Sequence, residues 1–378
     1  MSRSWDYERF GDLFAYQNKS SIKAGAGLSS GLYPFYTSSV ELSKFIDEFQ
    51  FERNSLIFGT GGNASIHFCD KPFSVSTDCL VAYVKNETKV DSKFVFFYLK
   101  GNIGLLEKGF KGAGLKHISK GYINDIIIPL PPLATQQRIA AILDAADALR
   151  RKDQELLRKY DELALARYNS ILKVESKSSL YKISDLVEIG KNKIRSGPFG
   201  SDLLHSEFVD SGVTVLGIDN VVNNRFEISK SRFITHSKFD KLKRYQVFPD
   251  DVLITIMGTV GRSAVVSEII GEAINTKHLV AITLNTKLAH PSFISYSFTH
   301  NNSILYQIRR KSKGAIMDGL NIGIIKDLDI ELPPLEVQND FADFLKTIEE
   351  LKLNVIEGKS GDLFNSLIQR TFSGEQVG

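Results

Sequence analysis

The chain has 378 residues, of which 43% are hydrophobic and 24% are charged. This length is too great for one ordinary domain, and the composition is that of a globular protein with a real core. The formal net charge is only +3, so a polyanionic partner would have to meet local basic patches. No stretch approaches the roughly 18 consecutive apolar residues of a membrane span, and no signal peptide opens the chain. We therefore expect a cytoplasmic protein with no membrane contact.

The first part of the chain, up to about residue 133, contains short apolar runs separated by glycine and polar turns. This pattern predicts a β-rich domain with a few helices. Residues 94–99 are rich in aromatic side chains and favour a helix, although the same run could form a strand.

A long helix is predicted next, from residue 134 or 135 to about residue 172. Neither proline nor glycine interrupts this stretch, and the prolines at 131 and 132 set an extended entry before it. Its apolar residues recur at alternating steps of three and four, with only Asp153 out of pattern, which is the spacing of a heptad seam. The seam comprises Ile139, Ile142, Ala146, Leu149, Leu156, Tyr160 and Leu163.

A linker rich in serine and lysine, residues 174–179, leads into a second part with the same pattern of short runs. Residues 293–298 are again aromatic and favour a helix. A second long helix follows, and its seam comprises Phe341, Phe344, Ile348, Leu351 and Val355. Gly358 and Gly361 then break the spacing, so we expect a kink or a short non-helical step there.

These elements form a duplication. The Leu-Pro-Pro-Leu motif at residues 130–133 recurs at 332–335, and the Gly-Thr pair at 59–60 recurs at 258–259. A period near 200 residues is far too long for a solenoid and indicates two copies of one large module. Copies related by a two-fold axis require antiparallel helices. The sequence therefore predicts an α+β fold: two similar mixed α/β globular domains separated by two long antiparallel coiled-coil helices, with pseudo-two-fold symmetry.

The order of these motifs resembles that of type I restriction–modification specificity subunits over essentially the whole chain. The matching segments are residues 130–137, residues 332–338 and the Ser-Gly-Pro-Phe-Gly-Ser stretch at 196–201. The first domain departs from the family pattern, because it lacks this last loop. The resemblance implies target recognition domains at residues 1–133 and 180–335 and conserved spacer helices at residues 134–173 and 336–372.

In that family, each target recognition domain reads one half of a split, asymmetric sequence in double-stranded DNA. The paired helices act as a ruler and dock two methyltransferase subunits, through which the restriction subunits join. The resemblance thus implies a subunit with no catalytic residue of its own. The residues agree, because the seven histidines lack metal-ligand spacing and Leu-Pro-Pro-Leu lacks the polar residue and ring of an amino-methyltransferase. We expect no cofactor and no metal.

Basic side chains are the main candidates for DNA contact. Lys and Arg bind phosphates, and Arg, Lys, Asn and Gln read base edges. The candidates in the first domain are Lys19, Lys23, Asn63, Lys111 and Lys116. The candidates in the second domain are Lys191, Lys193, Arg195, Ser201, Arg232, Lys243, Arg262, Lys277 and Lys313. The alternative for any one basic run is a solvated surface.

Two further motifs allow two interpretations each. The glycine-rich residues 59–62 and 258–261 could cradle a phosphate with backbone N–H groups, but tight turns between strands have the same composition. Gln136, Gln137 and Gln338 stand at the helix starts, where they could contact the methyltransferase or cap the helix.

Two other classes of function are compatible with the sequence. A free-standing enzyme with a dispersed site would show turnover by the purified chain alone. A structural scaffold that binds only proteins would have no affinity for DNA, and salt-dependent, sequence-selective DNA binding would exclude it.

Overall fold

The computed structural model describes residues 5–174, 178–190, 192–228, 232–267, 270–312 and 320–372. The chain divides into two compact units. Unit 1 is Met1–Leu156 with Val355–Gly378, and unit 2 is Leu157–Asn354. The two long helical stretches do not form a unit of their own, because each is divided between unit 1 and unit 2.

Unit 1 is built on mostly antiparallel β-structure with one parallel strand pair. Its strands are β1 (Asp6–Arg9), β2 (Phe14–Tyr16), β3 (Tyr33–Tyr36), β4 (Phe45–Ile46), β5 (Ser55–Gly59), β6 (Ser65–Cys69), β7 (Ser74–Val75), β8 (Cys79–Val84) and β9 (Ile127–Leu130). One sheet has the order β2-β8-β5-β6, a second has the order β4-β3-β7, and β1 pairs with β9. Every residue of β5 is buried, which explains its continuous apolar run.

The helices of this region pack on the first sheet. They are α1 (Phe10–Leu13), α2 (Ser92–Gly101), α3 (Gly104–Glu107) and α4 (Lys120–Asn124). Asp91 caps α2, because its carboxylate accepts a 2.8 Å hydrogen bond from the backbone N–H of Phe94. Phe94 and Phe97 are buried in the core of the unit. The helical interpretation of residues 94–99 is therefore confirmed.

The first long helix, α5, spans Leu133–Val174, or 42 residues. A helix of this size is about 63 Å long. Its first part buries Ile139 and Leu143 in the core of unit 1. Its last part buries Tyr168 and Ile171 in the core of unit 2.

Unit 2 repeats the plan of unit 1. Its strands are β10 (Ser179–Lys182), β11 (Ile194–Ser196), β12 (Val213–Leu216), β13 (Val221–Val222), β14 (Arg225–Phe226), β15 (Phe233–Ile234), β16 (Gln246–Val247), β17 (Val252–Thr255), β18 (Ser263–Val265), β19 (Ala273–Asn275), β20 (Leu279–Ile282) and β21 (Asp329–Leu332). The sheet β11-β20-β17-β18 corresponds to β2-β8-β5-β6, and β10 pairs with β21 as β1 pairs with β9. A second four-stranded sheet has the order β15-β12-β19-β16.

The remaining helices complete both units. They are α6 (His236–Leu242), α7 (Pro291–His300), α8 (Asn302–Ser312), α9 (Ile322–Lys326), α10 (Leu335–Glu357) and α11 (Ser360–Phe372). Helix α7 confirms the helical interpretation of residues 293–298. The break between α10 and α11 falls at the predicted place, where Lys359 has a φ of +52°.

Within unit 2, the end of α5 and the start of α10 run antiparallel. Asp161 of α5 forms an ion pair with Lys352, whereas Tyr168, further along α5, packs against Phe341, further back along α10. The ring centroids of Tyr168 and Phe341 are 5.6 Å apart. The predicted antiparallel direction of the helical segments therefore holds in this unit.

The heptad seam of the first long helix is not buried along its whole length. The exposed fractions are 38% for Ile142, 47% for Leu149, 38% for Leu156 and 50% for Leu163. Leu351 in the second seam is also 39% exposed. The physical reason is that α5 has two apolar stripes. One stripe, which includes Ile139 and Leu143, packs on a domain, and the other repeats every seven residues and is left exposed. We call Ile142, Leu149, Leu156 and Leu163 the exposed stripe.

We predict that the two stripes differ in their contribution to stability. Leu143 is fully buried, so Leu143→Ala should lower the free energy of unfolding by about 2–5 kcal/mol. Leu149→Ala removes a half-exposed side chain and should cost less than about 1 kcal/mol. Urea denaturation followed by circular dichroism measures both values. Equal losses would contradict the offset between the stripes.

Candidate nucleic-acid interface

The loops at one edge of the main sheet of unit 1 gather the candidate residues of the first domain. Strands β2 and β5 end at this edge, and β8 and β6 begin there, because neighbouring strands are antiparallel. We call the connecting residues 17–27, 60–64, 76–78 and 111–117 the first loop edge.

Backbone hydrogen bonds tie these loops to one another. The N–H of Thr77 donates to the carbonyl of Ile22 at 2.8 Å, and that of Thr60 donates to Asp78 at 2.8 Å. The N–H of Gly62 donates to the carbonyl of Lys116 at 3.2 Å. The structure therefore joins segments that are far apart in sequence into one surface.

All five candidates of the first domain lie in these loops. Lys19 and Lys23 follow β2, Asn63 precedes β6, and Lys111 and Lys116 flank the segment that pairs with residues 60–62. Their side chains are all exposed. They are thus placed where a polyanion could reach them together.

The glycine-rich residues 59–62 form a tight turn in which the N–H groups that could bind a phosphate already have partners. The N–H groups of Thr60 and Gly62 are bound to carbonyls, and that of Gly61 donates to Oγ of Ser38 at 3.3 Å. Gly62 has a φ of +80°, which favours glycine. The turn interpretation is therefore the correct one at this position.

Unit 2 has a matching edge, which we call the second loop edge: residues 197–202, 256–262 and 276–278. The N–H of Gly197 donates to the carbonyl of Thr276 at 3.3 Å, and the N–H of Ile256 donates to that of His278 at 2.9 Å. A Cβ on Gly197 would lie 1.9 Å from the carbonyl oxygen of Asn275. Only glycine permits this approach of the loop to the neighbouring strand.

Several candidates of the second domain lie at or beside this edge. Ser201 and Lys277 are exposed, and Arg262 is half-buried. Lys243 is exposed and adjoins Arg244, which bonds to the carboxylate of Asp202 at 3.0 Å. Asn63 and Arg262 occupy equivalent positions in the duplication, as do Asp78 and Lys277.

Arg232 lies against the same region, held from two sides. It forms an ion pair with Asp219, and a Cβ on Gly217 would lie 2.3 Å from its Nη2 atom. Burial lowers the pKa of His278, and the charges of Lys277 and Arg232 lower that pKa further. Both cations therefore act on His278, which indicates a positive potential at this edge.

The prediction that Arg195 contacts DNA is wrong. Its side chain is 5% exposed and forms an ion pair with Asp251, which is fully buried. Its Nε donates to the carbonyl of Gln246 at 2.6 Å, and Nη1 donates to Oγ1 of Thr283 at 2.9 Å. A guanidinium with these partners has no face for a phosphate, so Arg195 is part of the support of the domain.

Three other basic candidates remain, of which one is half-buried and two lie outside the described residues. Lys193 is half-buried and forms an ion pair with Glu188, which reduces its availability for a phosphate. Lys191 and Lys313 lie outside the described residues.

Two of the three glutamines proposed as a partner interface are buried. Gln136 is 1% exposed and Gln338 is fully buried. Both side chains bond to the backbone of their own unit, so neither can contact a partner as predicted. Gln137 is exposed and remains available.

From the sequence, the exposed stripe was assigned only to a seam between helices and not to a surface open to a partner. Its signal was present, since the four residues are spaced by seven and share one face of α5. Apolar spacing alone cannot say whether a stripe faces its own chain or another. In the second helical stretch, Leu351, Ile356 and Leu363 are likewise 39%, 51% and 49% exposed.

The described residues offer neither a metal site nor a membrane span. They contain no group of three or more His, Cys, Asp or Glu side chains that could hold a metal ion. In the same ranges, no helix has the length and apolar character needed to cross a membrane.

Comparison with known proteins gives a consistent result. A family model described as "Type I restriction modification DNA specificity domain" matches residues 2–158 and residues 175–361. The type I restriction enzyme MjaVIII specificity subunit of Methanocaldococcus jannaschii is 25% identical over 375 residues, covering 92% of this chain and 86% of the relative. The EcoBI specificity subunit of Escherichia coli is 23% identical over 357 residues, covering 85% and 73%.

A solved structure supports the fold. The type I restriction–modification S subunit from M. genitalium matches with a TM-score of 0.68 at 14% identity, covering 97% of this chain and 96% of that one. Because the family model spans most of the sequence in two copies, the chain belongs to the type I restriction–modification DNA specificity family.

Proposed function

We propose that this chain binds double-stranded DNA at a bipartite, asymmetric target and does so without a catalytic residue of its own. The observation that carries the proposal is the duplicated loop edge. In each unit, the same edge of an equivalent sheet presents basic side chains on loops fixed by backbone hydrogen bonds, and the first edge adds the amide of Asn63. Rigid loops of this kind suit recognition, because little entropy is lost on binding.

We propose that each loop edge reads one half of the target. The target recognition domains then comprise residues 1–133 and 180–335, and the spacer helices comprise 134–173 and 336–372. The two edges differ at equivalent positions, with Asn63 and Asp78 in the first and Arg262 and Lys277 in the second. Asn pairs well with adenine and Arg with guanine, so edges that differ in this way favour different bases.

The exposed lysines of both edges supply the contacts that do not depend on sequence. Each phosphate neutralised by Lys or Arg releases counterions, so affinity falls with salt in proportion to the number of contacts. Lys116 and Lys277 are the clearest cases, because each is exposed and lies in a loop bonded to its neighbours.

We further propose that the exposed stripe docks the methyltransferase subunits, two per chain, through which the restriction subunits join. In helix-in-groove recognition, a helix places an exposed apolar stripe into a hydrophobic groove of its partner. The equivalent exposed residues of the second helical stretch offer a second site of the same kind. This interface replaces the one first assigned to Gln136 and Gln338.

The lysines can be tested individually. Lys277→Ala should weaken binding to all DNA sequences and lower the slope of log affinity against log salt by about 1. Lys287→Ala is the matched control, because Lys287 is exposed beyond the opposite end of β20. Fluorescence anisotropy with a DNA duplex at graded salt measures both slopes. An equal fall in the control would contradict the assignment of the edge.

The stripe can be tested with a charge. Leu149→Glu and Leu156→Glu should weaken methyltransferase binding at least about tenfold, since an apolar anchor is replaced by a charge. Gln154→Glu adds the same carboxylate two residues from Leu156, nearly opposite on the helix, and should have no such effect. Pull-down and calorimetry with the purified methyltransferase subunit compare the three variants. Unchanged binding in both leucine variants would rule out the stripe.

The division into two half-sites can be tested by exchange. Residues 6–130 should be replaced by the first domain of another family member, with Phe94 and Phe97 kept because they pack against α11. The hybrid complex should methylate a sequence in which only one half has changed. Replacing residues 180–332 instead should change only the other half. Hybrids that alter both halves, or neither, would contradict the proposal.

A further inference from the structure

Gln136 joins the start of helix α5 to the domain before it. Its Oε1 accepts a 2.9 Å hydrogen bond from the backbone N–H of Asp91. Its Nε2 donates to the carbonyl of Lys89 at 3.1 Å and to that of Pro131 at 2.8 Å. One buried amide thus satisfies three backbone groups of unit 1.

Gln338 makes the same three contacts in unit 2. Its Oε1 accepts a 2.9 Å hydrogen bond from the backbone N–H of His290. Its Nε2 donates to the carbonyls of Leu288 at 3.2 Å and Pro333 at 2.8 Å. The two glutamines are equivalent in the duplication, and so are their partners, even though the surrounding sequences have diverged.

Only a side-chain amide fits this arrangement. The backbone N–H needs a hydrogen-bond acceptor, and the two carbonyls each need a donor. Gln has one acceptor oxygen and two N–H donors. Glu would lack the donors, and Lys or Arg would lack the acceptor. A shorter Asn has the right atoms but one methylene less reach. The repeated choice of Gln therefore follows from hydrogen-bonding chemistry.

The contacts tie one helix start to another. Asp91 is the N-cap of α2, and His290, whose Nδ1 accepts from the N–H of Ser292 at 3.1 Å, is the N-cap of α7. Each glutamine thus fixes the first turn of a long helix against the capping residue of a helix inside the domain. We call these two sets of contacts the glutamine latches.

A small tilt at this point has a large effect at the other end of the helix. Helix α5 is about 63 Å long, so a rotation of about 3° at its start moves its end by about 3 Å. That is close to the ~3.4 Å rise of one base pair. Holding the first turn within a few degrees is therefore a requirement for a ruler with base-pair accuracy.

Two ion pairs between the helices and the domains are more exposed than the glutamines. Lys93 and Asp144 form an ion pair at 3.0 Å, with side chains 28% and 42% exposed. Arg225 and Glu349 form one in unit 2, with side chains 34% and 41% exposed. Pairs this exposed are screened by solvent and contribute little. The latches are buried, so solvent does not screen them, and they add directional hydrogen bonds to the core packing of Ile139 and Leu143.

We propose that Gln136 and Gln338 are positioning residues that fix the direction of each spacer helix relative to its reading domain and thereby set the spacing between the half-sites. This inference rests on the proposed function. It assigns to the glutamines a role inside the chain, in place of the partner contact expected from the sequence.

The first test uses the full-length chain and amide hydrogen exchange. In the unaltered protein, the amides of Asp91 and His290 should exchange slowly, because each is bound to a buried glutamine. Gln136→Ala should speed exchange of the Asp91 amide at least about tenfold and leave the His290 amide unchanged, and Gln338→Ala should do the reverse. Fast exchange of both amides in the unaltered protein would overturn the latches without any variant.

The second test measures spacing in the complex reconstituted with methyltransferase subunits. The substrates are duplexes carrying both half-sites, separated by the natural spacer or by one base pair more or less. Gln136→Ala and Gln338→Ala should each reduce the preference for the natural spacer about fivefold or more, with the bases of each half-site unchanged. Gln154→Ala, at an exposed position further along α5, is the control and should keep the full preference.

The outcomes separate the two claims. A spacer preference that is unchanged in both Gln136→Ala and Gln338→Ala, with the complex assembled, would overturn the positioning role. Failure of one variant to fold leaves the other to decide, since each latch lies in its own unit. If instead the unaltered complex methylated no sequence-specific target, the proposed function would fail. The hydrogen bonds of the latches would still stand, because the exchange test measures them independently of methylation.

Discussion

The structure depends on how the 42-residue helix α5 is stabilised at its two ends. Isolated helices are marginal in water, and most helical stability in proteins comes from burying one face. Helix α5 buries Ile139 and Leu143 in one core and Tyr168 and Ile171 in another, and it makes little use of its middle. The same helix is therefore part of two domains. Because each end is packed into a core, the middle of α5 can stay exposed while the helix remains stable.

Much of the architecture could be predicted from the sequence. The duplication, the two long helices, the aromatic helices and the break near Lys359 all follow from local composition and spacing. The sequence did not predict which apolar face of α5 is buried. Apolar residues at steps of three and four on α5 define two stripes, and only packing against a folded domain decides which is covered. Leu149 and Leu143 look alike in sequence, but one is 47% exposed and the other is fully buried.

The site was harder to predict than the fold, because its partners are distant in sequence. Arg195 belongs to a basic run, yet Asp251, 56 residues away, turns it into a buried ion pair. Gln136 reaches back 45 residues to Asp91. The sequence around Arg195 does not indicate its pairing with Asp251, and the sequence around Gln136 does not indicate its bond to Asp91. By contrast, the sequence was enough to predict Lys116 and Lys277 as exposed loop lysines. It did not indicate which other loops are hydrogen-bonded to theirs.

The two units share a framework and differ beneath the loops. In the paired registers, Arg195 opposite Ala281 takes the place of Tyr16 opposite Ala82. A buried ion pair is costly to make and destructive to break, so it favours a single arrangement of the surrounding strands. Unit 2 supports its loop edge with this pair and with a second sheet of four strands. The two equivalent edges therefore rest on different supports.

The central claim is that one chain reads two separate half-sites at a fixed distance. The most direct measurement is methylome sequencing of host cells with and without this gene, grown alike. The account predicts that deleting the gene removes methylation from one motif, made of two different short half-sites separated by a constant number of unspecified bases. Loss of a single continuous motif, or no change in the methylome of cells that express the methyltransferase subunit, would contradict it.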